Sequence, residues 1–337
     1  MEHSFWLYAG FLAFVVAALL IDLKVFHSEA RKVTTKEAGV WATIWIGLGI
    51  AFGIGVYFWM GPTSAGEYFA GFLIEKALSV DNIFVFLVIF GYFRVRPEHQ
   101  HQVLFFGILG AIVFRGLFIA AGITLINRFE WVLYLMGALL LYSAYKIGRG
   151  TDSVHPEDNP VLKLFRRTFP TTSQYHGQKL FVREGGRRVA TPLFVVLLVI
   201  EVTDVAFAVD SIPAIFAITR DPFIILTSNV FAILGLRALY FLLASSIERF
   251  HLLKYGLAFI LAFVGVKMLA AEFWHPPIGL SLAVIVGALV VTVVASLKTT
   301  PSHEVPDELP DPENTLGLEE PEDSAQQDAR GGGGGRT

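Results

Sequence analysis

The chain has 337 residues, of which 54% are hydrophobic and 16% charged, and its formal net charge is −3. Soluble domains are closer to a quarter charged, so this composition excludes an ordinary soluble globular protein and indicates a protein of the lipid bilayer. The sequence contains no cysteine, which excludes disulfide bonds and thiolate metal ligands.

Long apolar runs follow one another along the chain. A transmembrane helix needs about 20 apolar residues to cross a hydrocarbon core about 30 Å thick. The first run has no basic segment before it and no small-residue cleavage site, so we interpret it as a retained span. The sequence predicts an all-α, polytopic helical membrane protein with about nine transmembrane helices. The predicted spans are residues 5–23, 40–60, 66–93, 101–125, 129–148, 190–218, 223–246, 251–271 and 277–297.

Basic residues predict the orientation of these spans, because cytoplasmic loops collect Lys and Arg. The opposite loops hold only Arg128 and Arg220. We expect the N-terminus outside and the C-terminus in the cytoplasm, with His99 and His101 solvated in a cytoplasmic loop. The basic residues of the predicted cytoplasmic loops are Lys24, Arg31, Lys32, Lys36, Arg94, Arg96, Arg149, Lys163, Arg166, Arg167, Lys179, Arg183, Arg187, Arg188, Arg249 and Lys254.

The chain changes character after residue 298. Residues 299–337 carry ten acids against two Arg, several prolines and the run GGGGG. Such a segment has too little apolar surface to offset the entropy lost on ordering, so it is expected to be a disordered acidic cytoplasmic tail. The predicted transmembrane body is therefore residues 1–298.

The body contains an internal repeat of three spans. "SVDNIFVF" at 79–86 resembles "AVDSIPAIF" at 208–216, which aligns Asp81 with Asp210. Arg115 and Arg237 match further along each copy. Repeat one covers about 66–148 and repeat two about 190–271, and a cytoplasmic loop at 149–189 connects them. Because three spans are an odd number, the copies have opposite orientation, as in many secondary transporters with a site at the repeat interface.

Five acids lie deep inside the predicted spans. A charged residue at the bilayer centre costs on the order of 2.5–3.5 kcal/mol on insertion scales, so these acids should face the interior of the bundle. Three basic side chains, Lys76, Arg115 and Arg237, are the expected counter-ions. With every group ionised, two negative charges remain, which fits one dication or two protons. The five acids are Glu75, Asp81, Glu201, Asp204 and Asp210.

The spacing of these residues predicts a metal site. Pro213 cannot donate to the carbonyl of Val209, so a kink there is expected to act as a hinge beside Asp210. Donors that are all oxygen favour Mg²⁺, Ca²⁺ or Mn²⁺ over softer ions. The alternative is that buried Arg–Asp pairs only clamp the helices together. The candidate ligands are Glu75, Asp81, Asn82, Glu201, Asp204, Asp210 and Ser211.

Two motifs resemble a known family. "FLIEKALSVDNIFVF" at 72–86 and "VIEVTDVAFAVDSIPAIFAIT" at 199–219 are similar to the signature of the TerC/Alx family of integral membrane proteins. The resemblance runs from about residue 5 to 297. It implies export of Mn²⁺ across the bacterial inner membrane, with the candidate ligands at the family's acidic motif positions, and an association with tellurite resistance.

The mechanism expected from the residues is gradient-driven. The sequence has no GxxxxGK[ST] phosphate loop and no HExxH pair. We therefore expect a proton-coupled, alternating-access exporter and not an enzyme. The expected partners are the lipid bilayer, a divalent cation and protons. We expect no resident cofactor, no catalytic residue and no bound nucleic acid. Three alternatives are open: a proton-coupled exporter of another small solute, a membrane scaffold that recruits cytoplasmic proteins through residues 149–189, and a membrane-embedded enzyme, which the absence of an HExxH pair, a nucleophile elbow and a His-rich cluster makes the least favoured of the three.

Overall fold

The computed structural model describes residues 5–26, 34–149, 162–165, 169–172, 174–184, 186–244, 250–274 and 276–299, without the side chains of residues 22–26 and Asp81. Almost all of this is helix. The predicted tail lies outside the described residues, apart from Thr299. The elements are α1 (Phe5–Phe26), α2 (Thr35–Met60), α3 (Pro62–Tyr92), α4 (Pro97–Arg128), α5 (Trp131–Gly148), β1 (Phe181–Glu184), β2 (Arg187–Ala190), α6 (Pro192–Phe216), α7 (Pro222–Leu234), α8 (Leu236–Leu243), α9 (Leu253–Leu269) and α10 (Ile278–Lys298).

Local sequence signals set where these helices begin. Helix α2 starts with a capping box, in which the Thr34 hydroxyl accepts from the Glu37 N–H and the Glu37 carboxylate accepts from the Thr34 N–H. Helix α7 starts at Asp221, whose carboxylate accepts from two N–H groups of the first turn. Proline opens four helices, because its fixed φ suits a first turn and its missing N–H is not needed there. These prolines are Pro62, Pro97, Pro192 and Pro222.

The outer surface of the helix bundle is apolar, as expected for a protein surrounded by lipid. Within the described residues, six helices are long and apolar enough to cross a membrane, with α7 and α8 counted as one span. Large apolar side chains face outward, for example Phe58, Leu117 and Trp131. Apolar exposure on this scale marks a surface covered by lipid. The chain is thus an all-α polytopic membrane protein; the count of nine spans remains a prediction.

The helices pack in reciprocal pairs. Helix α3 packs on α7 while α4 packs on α6, and α3 also packs on α6. Helices α5 and α9 form a further close pair. This exchange of partners is what two three-helix units related by a two-fold axis would give, and the inverted repeat itself stays a prediction. Helices α3, α4, α6 and α7 enclose the polar interior.

Two glycines bring α5 and α9 into backbone contact. A Cβ atom added at Gly137 would lie 3.3 Å from the carbonyl oxygen of Gly265, and one added at Gly265 would lie 3.1 Å from the carbonyl oxygen of Gly137. Small residues at an interface let membrane helices approach closely and pack without a hydrophobic driving force. The two helices therefore form one tight unit.

The structure departs from the sequence prediction in three places. The span expected at 223–246 consists of two helices separated at Gly235, where the chain has φ −89° and ψ 3°. The loop expected at 149–189 contains strand β1, which pairs antiparallel with β2. His99 and His101 are not solvated; both are buried near the start of α4, because that helix begins at Pro97 and its first turns already lie inside the bundle.

Candidate functional site

A buried guanidinium lies at the centre of the polar interior. Arg115, on α4, is 2% exposed, and its Nη1–H donates to Glu75 Oε1 of α3. Its Nε and Nη2 groups donate to the two carboxylate oxygens of Asp204 on α6, each at 3.4 Å. Glu75 and Asp204, which lie six residues before the aligned acids Asp81 and Asp210, are therefore joined through one arginine. The fork of the guanidinium suits this task, because it presents several donors in one plane.

Two uncharged side chains complete the shell of Arg115. Nη1 also lies 3.2 Å from Ser211 Oγ on α6 and 3.3 Å from Asn229 Oδ1 on α7. The amide nitrogen of Asn229 donates to the Ile225 carbonyl at 3.0 Å, which turns the amide oxygen toward the guanidinium. Four helices thus meet at Arg115. Asn229 was missed by the sequence prediction, although an amide in the middle of an apolar span was the available signal.

The cluster has more acid than base. Glu75 is 0% exposed and Asp204 is 3% exposed, and Arg115 pairs with both. Glu75 Oε2 accepts no hydrogen bond among the described residues. Buried charge is stable only when it is paired and hydrogen-bonded, so two ionised carboxylates around one guanidinium leave an unmet negative charge. A proton or a bound cation would balance it.

A small cavity adjoins this cluster. Its volume is about 30 Å³, enough for a water molecule or a small ion. Asp210 Oδ1, at the cavity, accepts from Ser143 Oγ of α5 at 2.6 Å. Asn82 Oδ1 is buried and accepts no hydrogen bond from the described residues. The lining residues are Leu78, Asn82, Arg115, Ile147, Phe207, Asp210 and Ser211.

Glu201 lies apart from this cavity. It is on α6, one turn before Asp204, and its carboxylate lies against the backbone of α4, where a Cβ added at Gly110 would overlap it. Its Oε2 accepts no hydrogen bond in the described part of the chain. Asp81 lies on α3, and its side chain is outside the described set.

The other two basic residues have different surroundings from Arg115. Arg237, on α8, lies with Nη1 3.2 Å from His101 Nε2. Lys76 Nζ donates to the Ala232 carbonyl at 2.6 Å, so its described partner is a backbone oxygen and not an acid. The predicted counter-ions are thus spread over three locations.

Pro213 is buried in the last turn of α6, which runs unbroken from Pro192 to Phe216. Among the described residues, no three acids or histidines lie close enough together to form a metal cage. Five of the seven candidate ligands fall into two neighbouring groups, with Glu75 and Asp204 at the guanidinium and Asp210 and Asn82 at the cavity. Ser211 belongs to both.

This fold, with charged groups held inside a bundle that is apolar outside, defines a multi-pass membrane protein with an internal polar site. The chain matches the model of the "Integral membrane protein TerC family" over residues 60–304. It therefore belongs to the TerC family.

Named relatives match over nearly their whole length. A Myxococcus xanthus membrane protein, STKORF319, is 48% identical over 292 residues, which is 86% of this chain and 92% of the relative. The Escherichia coli (strain K12) protein named "Putative membrane-bound redox modulator Alx" is 44% identical over 308 residues, covering 88% and 96% respectively. A Photorhabdus laumondii protein of the same name is 43% identical over 301 residues, covering 86% and 94%. No solved structure gives a significant match.

Proposed function

We propose that this protein exports a hard divalent cation, with Mn²⁺ as the favoured ion, across the bacterial inner membrane in exchange for protons. The observation that carries the proposal is the cavity beside Arg115, where Asp210 and Ser211 of α6 meet Asn82 of α3. Both helices also supply an acid to the adjoining guanidinium. A site built by the two predicted repeats in the interior of the bundle is where secondary transporters bind their cargo.

The donor chemistry supports the choice of ion. Apart from the nitrogens of Arg115 and Asn82, the polar atoms at and beside the cavity are carboxylate, amide and hydroxyl oxygens, which suit Mg²⁺, Ca²⁺ and Mn²⁺. The protein has no cysteine, so soft thiolate ligation is not available to it. Ser143 donates to one oxygen of Asp210, whose side chain lines the cavity.

Competition between protons and the metal ion for the same carboxylates would couple metal export to proton uptake. Low-dielectric surroundings favour the protonated form of a carboxylic acid, and a bound cation favours the ionised form. A cluster with more acids than bases therefore loses protons when it takes up a metal and regains them when it releases the metal. Rocking of one repeat against the other would expose the site to each side in turn, with the C-terminus in the cytoplasm.

The printed name of the Alx relatives refers to redox modulation. Because this chain has no thiol, it cannot act by thiol–disulfide exchange. We infer that a redox effect of this protein would follow from the metal concentration that it sets, and a link to tellurite resistance would arise in the same indirect way.

Flux in reconstituted vesicles tests the proposal. The full chain is placed in liposomes, and uptake of Mn²⁺, Mg²⁺, Ca²⁺ and Zn²⁺ is compared while internal pH is recorded. We expect Mn²⁺ uptake with proton counterflow, and a loss of at least about tenfold in Asp210→Asn, because one carboxylate ligand becomes a neutral amide. Glu130→Gln, which changes an exposed acid between α4 and α5, is the matched control.

The outcome also separates the alternatives. Unchanged Mn²⁺ flux in Asp210→Asn would remove the ligand assignment. Loss of flux of an organic solute or oxyanion in Arg115→Lys, with Asp210→Asn unaffected, would favour export of an anionic solute. A phenotype that disappears on deletion of residues 149–189 while metal flux continues would favour the scaffold.

A further inference from the structure

The interruption between α7 and α8 places a helix C-terminus in the interior of the bundle, where the Gly235 N–H donates to the Ile233 carbonyl. Helix α7 ends at Leu234 and α8 begins at Leu236, inside the most deeply buried of the apolar spans. The last four carbonyls of a helix have no intrahelical partner, and the helix dipole adds partial negative charge at that end. The interruption therefore needs a positive group or a donor.

Lys76 of α3 supplies that group. Its Nζ donates to the carbonyl of Ala232, a residue of the last turn of α7 that is 0% exposed. The ammonium also lies 5.9 Å from the centre of the Phe72 ring. The neighbouring acid, Glu75, is bonded to Arg115, and Lys76 forms no ion pair with any described residue. The ammonium therefore belongs to the helix interruption.

Gly235 makes room for the ammonium. A Cβ atom at this position would lie 3.0 Å from Lys76 Nζ and 2.9 Å from Trp45 Cβ, both tighter than ordinary contact. Any side chain here would push the amine or the indole away from the interruption. The glycine and the lysine thus form one arrangement, which was not visible in the sequence because the two residues are far apart in the chain.

In transporters with interrupted helices, freed carbonyls and helix C-termini coordinate a small cation such as Na⁺. We propose that the Lys76 ammonium is a tethered substitute for such a cation at the α7–α8 interruption. It fixes the junction permanently, so the protein needs no free monovalent cation there. Removing the side chain would leave a site for a small primary ammonium ion. The effect on transport rests on the proposed function; the binding site does not.

Rescue by an added amine tests the binding site. Lys76→Ala removes Cγ, Cδ, Cε and Nζ, and n-propylammonium has the same four heavy atoms. The full chain is unfolded thermally in detergent with n-propylammonium chloride or with equal tetramethylammonium chloride, which is too bulky to enter. We expect n-propylammonium at about ten times its Kd to raise the unfolding midpoint of Lys76→Ala by about 2–4 °C. The wild type and Lys36→Ala, which loses an exposed lysine of α2, should not respond.

Equal shifts in all three proteins, or no shift in Lys76→Ala, would overturn the proposal. Where Lys76→Ala does not fold, recovery of the folded protein only in n-propylammonium supports it. A Lys76→Cys variant gives a unique thiol, since the chain has none. Attaching an aminoethyl group should restore folding and an ethyl group should not; equal results with both would refute the need for charge.

Transport gives the second readout. Lys76→Ala should lose at least about tenfold in Mn²⁺ flux and regain it in n-propylammonium, with a pH profile like that of the wild type. Wild-type flux in Lys76→Ala without any amine would contradict the tethered cation. Absence of metal flux in the wild type would remove the proposed function, and the unfolding experiment would still decide the binding site.

Discussion

Replacing Arg115 with Met tests how the four central helices are held together. Methionine keeps an apolar stem of similar length and removes the guanidinium. Glu75 and Asp204 would then remain buried, at 0% and 3% exposure, without the arginine that bonds both of them. Each contact of Arg115 joins α4 to another helix, so its loss should be felt across the whole interior.

The size of the effect follows from the burial. Removing one partner of a buried ion pair costs about 3–5 kcal/mol, because it leaves an uncompensated charge in a low-dielectric interior. Since each 1.4 kcal/mol is tenfold, Arg115→Met should lower the ratio of folded to unfolded protein by roughly 10²- to 4 × 10³-fold. Glu75→Gln in the Arg115→Met background should restore part of this loss, because one of the two stranded charges is gone.

Equilibrium unfolding measures the prediction. The protein has six tryptophans, whose fluorescence follows unfolding in mixed micelles of increasing dodecyl sulfate content. The wild type, both single variants and the double variant form a cycle, and residues in contact usually give coupling energies of about 0.5–3 kcal/mol. Wild-type stability of Arg115→Met, or strict additivity in the cycle, would refute the view that Arg115 neutralises buried acids.

Two smaller predictions concern other parts of the chain. Gly110→Ala should destabilise by about 1–3 kcal/mol, because its Cβ would displace the Glu201 carboxylate, whereas Gly116→Ala, with open space around it, should be neutral or slightly stabilising in the same unfolding assay. In the 149–189 connection, burial raises the pKa of Tyr175 to about 12, and its hydroxyl donates to the Phe93 carbonyl at 2.8 Å. The neutral phenol is the form favoured in the folded state, so its stabilising effect is present below pH about 10 and lost as pH rises from there through about 12. In an ultraviolet titration at 295 nm, Tyr175→Phe should lose one of the tyrosines that ionise above pH about 10 in the unmutated protein; a late-ionising fraction unchanged by Tyr175→Phe would contradict the prediction.

Much of the fold was predictable because lipid imposes a simple rule. A helix that satisfies its own backbone and presents apolar side chains is one of few structures that cross a bilayer, so apolar runs alone located the helical segments. Their exact starts depended on prolines such as Pro62 and Pro97 and on the Thr34 capping box. The division at Gly235 was not predictable, since one glycine in an apolar run is common and the cause lies on another helix.

The buried polar cluster around Arg115 was predictable in its residue types and less so in its geometry, and the metal site stays a prediction. Depth and charge singled out Glu75, Asp204 and Arg115, which the structure brings into contact. Both Glu201 and Asp204 face α4, but helical spacing on α6 could not tell that Glu201 lies against the backbone at Gly110 while Asp204 accepts from Arg115, because the first contact depends on the absence of a side chain at Gly110. The contacts of these two side chains are therefore determined by the neighbouring helix α4 and cannot be read from the sequence of α6 alone.

In the proposed rocking mechanism, the glycine contact between α5 and α9 would serve as the pivot. Backbone touches backbone at Gly137 and Gly265, so neither helix can slide or roll there without the other. In a rocking exchange between two halves, displacement is smallest at the point of tightest contact and grows with distance from it. The distance between probes attached beside this glycine pair should therefore stay constant during transport, while the distance between probes on α3 and α7 should change. A methyl group at either glycine would alter the tilt of both halves together.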